Sequence, residues 1–157
     1  IILIKKFKKK KIIVKNFYNY EGNLTLQDTE TLTKKTISFG REEFINNKFK
    51  KLIRRCEESF DKSINLWSNS LKKTSSKAFF DLSKDCVNLS KTNKLLFFFK
   101  TFFKKKAYIY GERTKFMNTN FMSGLVCHKI KGSGHFAYFD NKLEFKKMFN
   151  KLILQQK

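Results

Sequence analysis

"KKKAYIYGERTKFMNTNFMSGLVCHKIKGSGHFAY", residues 104–138, decides how this chain is read. Its opening is aromatic and β-branched, so Ala107 to Tyr110 reads as a strand broken at Gly111. "TKFMNTNFM" (114–122) has the same β-like texture and stops before Gly124. Cys127 then stands beside His128, and a second histidine, His135, follows a Gly132-Ser133-Gly134 turn. Three chemistries compete for that last segment: a metal site, a Cys–His nucleophile, and a loop that grips phosphate.

Structural zinc takes four Cys or His ligands, usually at CxxC or HxxxH spacing. Only Cys127, His128 and His135 are at hand, and neighbours in a strand point to opposite faces. No metal and no cofactor is expected. A catalytic Cys–His pair meets in space and needs a third group to orient the base. Asp140 and Glu144 follow no such pattern, so the chain is not expected to be an enzyme. Phosphate binding fits better. The glycines can turn tightly and expose backbone N–H groups, Lys129 and Lys131 add charge, and His128 can donate to phosphate or stack on a base. An ordinary turn with Cys127 buried as a small hydrophobe fits the same residues equally well.

Charge gives the partner class. Thirty-five Lys and Arg face 13 Asp and Glu over 157 residues, a formal net charge of +22. Such an excess repels itself, and becomes favourable beside a polyanion, where each neutralised phosphate releases counterions. Nucleic acid ranks first, an anionic membrane second, acidic proteins third. The cations are nearly all lysine; arginine occurs only at Arg41, Arg54, Arg55 and Arg113. With 19 Phe and no Pro, the composition follows AT-rich codons, as in organellar genomes. Cys56, Cys86 and Cys127 are odd in number and far apart, which favours a reducing compartment over a disulfide framework.

The most apolar run, "LLFFFKTFF" (95–103), carries Lys100 and is far shorter than the roughly 20 residues a membrane span needs. Residues 1 to about 20 read as a basic arm with β-prone patches at Ile12-Ile13-Val14 and Phe17-Tyr18. Residues 21–38 are polar and threonine-rich, and read as loop or short strand. From Arg41 to Phe60, Ile45, Phe49, Leu52, Ile53, Cys56 and Phe60 recur at three and four, marking one helical face, with Ser38 a candidate cap and Glu42 and Glu43 in the first turn. That helix is either a solvated one with an apolar stripe or one lying on RNA. A second helix is expected after Trp67, with Phe79, Leu82, Cys86 and Leu89 inward. "KLLFFF" (94–99) reads as β-like. Residues 141–157 read as an amphipathic helix carrying Leu143, Phe145, Met148, Phe149 and Leu152.

The segment 107–139 resembles the C-terminal half of small-subunit ribosomal protein nineteen. Ile109-Tyr110-Gly111 stands for that family's Ile/Val-Tyr-Asn-Gly, Lys115-Phe116 for its Lys-x-Phe, Val126-Cys127-His128-Lys129 for its Val-Gly-His-Lys, and Gly134-His135-Phe136-Ala137 for its Gly-Glu-Phe-Ala. Upstream, Trp67 lies 61 residues before His128, close to the family's spacing, with Leu89-Ser90-Lys91 where it has Trp-Ser-Arg and Leu95 to Phe97 where it has Ile-x-Pro. The likeness spans about 64–140. Cys127 replaces a family glycine and His135 a glutamate. Two extra residues precede Gly134, Phe139-Asp140 stands for Thr-Arg, and Ser68-Asn69-Ser70 for Lys-Gly-Pro. "KGSGHFAYFDNKLEF" (131–145) also resembles a hairpin of large-subunit ribosomal protein six over about fifteen residues.

The resemblance implies an α+β fold: a small mixed or antiparallel sheet with a packed helix, plus a helical and extended N-terminal extension. Residues 1–60 would be a lineage-specific basic extension, 61–140 the core, and 141–157 a C-terminal amphipathic helix. It implies a structural constituent of the small-subunit head that binds small-subunit rRNA beside ribosomal protein thirteen, with tRNA nearby. Combined with the codon bias, it implies a mitochondrial ribosome in the matrix, an organelle-encoded chain, and no membrane. The residues expected on RNA are Lys72, Lys73, Lys91, Lys94, Arg113, Lys115, His128, Lys129, Lys131, Ser133 and His135. The alternatives are a protein-six-like mitoribosomal protein and a basic accessory subunit of a mitochondrial membrane complex.

Overall fold

Three short strands organise the chain: β1 (Asn16–Tyr20), β2 (Lys105–Gly111) and β3 (Cys127–Ile130), in the order β1-β2-β3. The computed structural model describes residues 14–114 and 122–154. Helices fill the rest: α1 (Thr33–Ser38), a helical run α2 built from Arg41–Glu43, a π-helical turn Phe44–Lys48 and Phe49–Glu57, then α3 (Lys62–Lys72), α4 (Ser76–Ser90), α5 (Lys94–Phe102), α6 (Ala137–Asp140) and α7 (Lys142–Leu154). The fold is α+β.

Both strand pairings are parallel, with Tyr20 opposite Ile109 and Ile109 opposite His128. The expectation of a mixed or antiparallel sheet is corrected to a parallel one among the described residues. The reason is connectivity. Parallel neighbours need a long crossover, and here the whole helical region α1 to α5 separates β1 from β2. "TKFMNTNFM" lies almost wholly outside the described residues. β1 falls within the segment read as an extension, yet it pairs with β2 over five residues.

The two-residue period of the strands sorts side chains onto two faces. Phe17, Tyr108 and Cys127 pack on one face against Leu24, Phe99 and Met122. Tyr18, Tyr20, Ile109 and Ile130 pack on the other against Ala137, Phe145, Met148, Phe149 and Leu152. Ile109 and Ile130 are fully buried there, each contributing roughly 1.5–3 kcal/mol of apolar burial. A third cluster joins α2, α3 and α4 through Phe44, Phe49, Cys56, Leu71 and Phe80.

Several sequence expectations change. "KLLFFF" opens helix α5, because Leu95, Leu96 and Phe99 share a helical face that closes on Tyr108; a run of phenylalanines carries no period of its own. Residues 21–38 hold a single 3₁₀ turn (Gln27–Thr29) and α1, stabilised by threonine hydroxyls such as Thr33 Oγ1 donating to Thr29 O at 2.9 Å. Ser38 ends α1 instead of capping α2. Gly40, at φ 76°, makes the reversal between them. Glu42 and Glu43 do lie in the first turn of α2. α2 ends at Glu57, which leaves Phe60 outside it and fully exposed. α4 buries Phe80, Ser83, Val87 and Ser90, while Leu82 and Leu89 face outward. Ser83 and Ser90 share that inner face with the apolar Phe80 and Val87, and Phe79 packs half-buried beside Phe80. α7 forms as expected, with Leu152 buried and Leu143 exposed. No helix among the described residues is long and apolar enough to cross a membrane.

Candidate nucleic-acid interface

β3 ends at Ile130, and the chain turns through residues 131–136 before α6. Gly132 sits at φ 64°, a left-handed conformation that suits glycine. The turn lies directly on the end of β2. A Cβ on Gly111 would fall 2.2 Å from Gly134 O, so that strand end admits only glycine. The Arg113 N–H donates to Ser133 O at 2.8 Å, and the Ser133 hydroxyl donates to Ile130 O at 2.8 Å.

Acidic side chains of the protein itself take the turn's outward N–H groups. Gly132 N–H donates to Glu112 Oε2 at 2.9 Å, and Gly134 N–H to Asp140 Oδ2 at 2.6 Å. These are the donors expected to cradle phosphate. Glu112 also receives Lys129 Nζ at 3.3 Å, and the Gly132 N–H and Lys129 together hold its carboxyl below the ordinary range. Asp140, 6% exposed, further binds Arg113 at 3.2 Å and accepts from the Ser63 hydroxyl. Ser63 and Trp67 stand one turn apart on α3, and Trp67 packs on Phe136 with ring centroids 5.6 Å apart. Asp61 caps that helix through Ser63 N–H at 2.9 Å, so its first turn is fixed where Ser63 must reach.

Glu21 completes the arrangement. It follows β1 at φ 41°, with its side chain 2% exposed. Its Oε1 accepts from Gly111 N–H at 2.6 Å and Thr114 Oγ1 at 2.7 Å, and its Oε2 bonds His135 Nδ1. Burial opposes its ionisation, but the bonds from His135, Gly111 and Thr114 outweigh it and hold the carboxyl below the ordinary range. Beside it, Tyr20 donates to His135 O at 2.7 Å and accepts from Ala137 N–H at 2.8 Å; burial, the largest influence, pushes its phenol up to about 12.

The expected contact residues separate into three groups. Arg113, Lys129, Ser133 and His135 gather at the turn but are engaged internally, by Asp140, Glu112, Ile130 O and Glu21. Ser133 is fully buried, which removes it as an RNA contact. His128 lies on the α7 face of the sheet, where burial first and then Lys151 lower its pKa; Cys127 lies on the opposite face, its thiol pushed up by burial. Lys73, Lys91, Lys94 and Lys131 are exposed and make no ion pair among the described residues, whereas Lys72 meets Glu57. Lys72 and Lys73 end α3 and Lys91 and Lys94 flank the α4–α5 turn, so the two pairs lie at opposite ends of α4, about 22 Å of helix apart. Lys115 lies outside the described residues. No group of three potential metal ligands occurs among the described residues.

Sequence reasoning missed Glu21, Glu112 and Asp140 as the groups that hold the turn. Their scarcity was a usable signal for the last two, since a chain with so few acids places two of them beside a glycine-rich segment. Nothing local pointed to Glu21.

The chain was compared with protein-family models, curated proteins and solved structures. None matches.

Proposed function

We propose that this chain is an RNA-binding structural protein, and specifically a small-subunit constituent of a mitochondrial ribosome. One observation carries the RNA-binding part: most of the acids are engaged by the protein's own cations, hydroxyls or backbone N–H groups, while Lys73, Lys91, Lys94 and Lys131 stand exposed without an anionic partner among the described residues. A net charge of +22 distributed in this way is unfavourable in isolation and favourable on a phosphate backbone. The mechanism is electrostatic. Lysines at the ends of α4 neutralise phosphates, and the pinned turn acts as a rigid spacer instead of a phosphate cradle. The finer assignment rests on the resemblance of 64–140 to small-subunit ribosomal protein nineteen and on the codon bias. On that reading small-subunit rRNA is the ligand, and the protein-thirteen side of the head the setting.

A sucrose-gradient profile with mass spectrometry of the fractions tests it. Cosedimentation with small subunits is the expected result. Recovery with large subunits, or in membrane fractions resistant to salt, overturns it in favour of a protein-six-like subunit or a membrane-complex subunit.

A further inference from the structure

A cleft of ≈ 380 Å³ opens between the start of α3 and the end of α6. Phe60 and Phe139 form part of its wall, Arg113 and Lys62 supply its cations, and Ser63 and Asp140 also line it. Its size falls in the range of small-ligand sites, roughly 300–1,000 Å³.

Phe60 is the unusual member. At 108% relative exposure it touches water as fully as in an open chain, and it makes no ring contact among the described residues. A lone exposed phenylalanine is unremarkable on a surface. The backbone that carries Phe60, however, is fixed by the turn on either side of it. Ser59 N–H donates to Cys56 O at 3.3 Å, and Asp61 N–H donates to Ser59 Oγ at 3.2 Å before Asp61 caps α3. Phe139, half exposed, belongs to α6, whose Asp140 is tied to α3 through Ser63. The two rings therefore sit on elements joined beneath them.

The cations complete the pattern. Asp140 orients the Arg113 guanidinium through a single 3.2 Å contact while the side chain stays 59% exposed, so N–H groups remain to receive another anion. Lys62 is exposed and makes no ion pair among the described residues. Aromatic faces beside cations are how proteins hold an unstacked base and its phosphates. A duplex would offer the rings no base face.

We propose that this cleft is a stacking site for one unpaired nucleobase, with Arg113 and Lys62 on the adjoining phosphates. The proposal rests on the RNA-binding reading above and narrows its ligand to single-stranded or looped RNA.

The test uses the full chain with a short single-stranded oligoribonucleotide carrying a fluorescent purine, and a blunt RNA duplex of equal length. Phe60→Ala is expected to weaken single-strand binding roughly 5–100-fold. The salt dependence should stay unchanged, because no charge is removed. Duplex binding should not move, and Phe60→Trp should restore affinity and quench the purine. Phe60 is fully exposed, so an unchanged thermal midpoint will show that Phe60→Ala folds. Equal losses on both RNAs, or no loss on either, overturn the stacking site while salt-dependent binding by the parent chain leaves the wider reading standing. If the parent chain binds neither RNA, the RNA-binding reading falls and takes this site with it.

Discussion

Glu21 and His135, 114 residues apart in the chain, are bonded side chain to side chain at the end of the sheet. The carboxylate that makes this contact also holds Gly111 N–H and Thr114, so one buried acid joins β1, β2 and the turn after β3. Removing it leaves a buried N–H without a partner. Glu21→Ala should cost about 3 kcal/mol, read as a fall in the urea midpoint. The carboxyl is held below its ordinary range in the fold. Its contribution is therefore full above the unfolded value, about 4.3, and is lost as pH falls through the lower folded value. Glu21→Gln should flatten the acid limb of a stability–pH curve.

Tyr20→Phe deletes a donor to His135 O and an acceptor for Ala137 N–H. A loss of roughly 1–3 kcal/mol is expected at neutral pH, because Ala137 is buried and its N–H is left unpaired. The phenol is pushed up to about 12 in the fold. Its stabilisation is thus fully present below about 10, the unfolded value, and is lost as pH rises toward 12. Phenolate absorbance should show Tyr20 titrating late beside Tyr108, whose phenol burial also pushes up, and Tyr20→Phe should remove one of the two.

Gly111→Ala puts a methyl group 2.2 Å from a backbone carbonyl oxygen. No side-chain rotation relieves a backbone clash, so the turn must leave the strand. At least about 2 kcal/mol should be lost, with amide exchange rising at Arg113, whose N–H reaches Ser133 O. Gly124→Ala is the contrast. Nothing lies within 4 Å of the new methyl there, and only its φ of 76° opposes the change, at a cost of about 1 kcal/mol.

Lys91→Gln and Lys94→Gln should weaken RNA binding about equally across sequences, each lowering the salt slope by about 1, with no loss of thermal stability. Lys129→Gln should weaken binding less, since Glu112 already shares that charge. A filter-binding series over ionic strength separates the two. Equal effects at the three positions would place the turn itself on RNA.

The helices α2 and α7 were readable because apolar residues repeat at three and four along them, whereas α3 was not expected over Lys62–Lys72. β2 was readable from its β-branched and aromatic run. α5 was not, because consecutive phenylalanines satisfy any period. The inner face of α4 was hidden for a different reason. Ser83 and Ser90 are buried beside Phe80 and Val87, while Leu82 and Leu89 remain in water, so the buried positions of this helix do not follow its apolar residues. The candidate interface was legible only as lysine-rich turns; which of its cations remain available depended on where the acids fell.

The sequence by itself determined the charge, the mix of helix and strand, and the segment 124–138 as the place to look. Those follow from composition and local period, which involve residues near one another in the chain. Only the tertiary structure decided that the sheet is parallel and that the glycine turn is gripped by the protein's own carboxylates. Each depends on residues brought together from far apart, and hydrogen-bond geometry, unlike charge, cannot be summed along a chain.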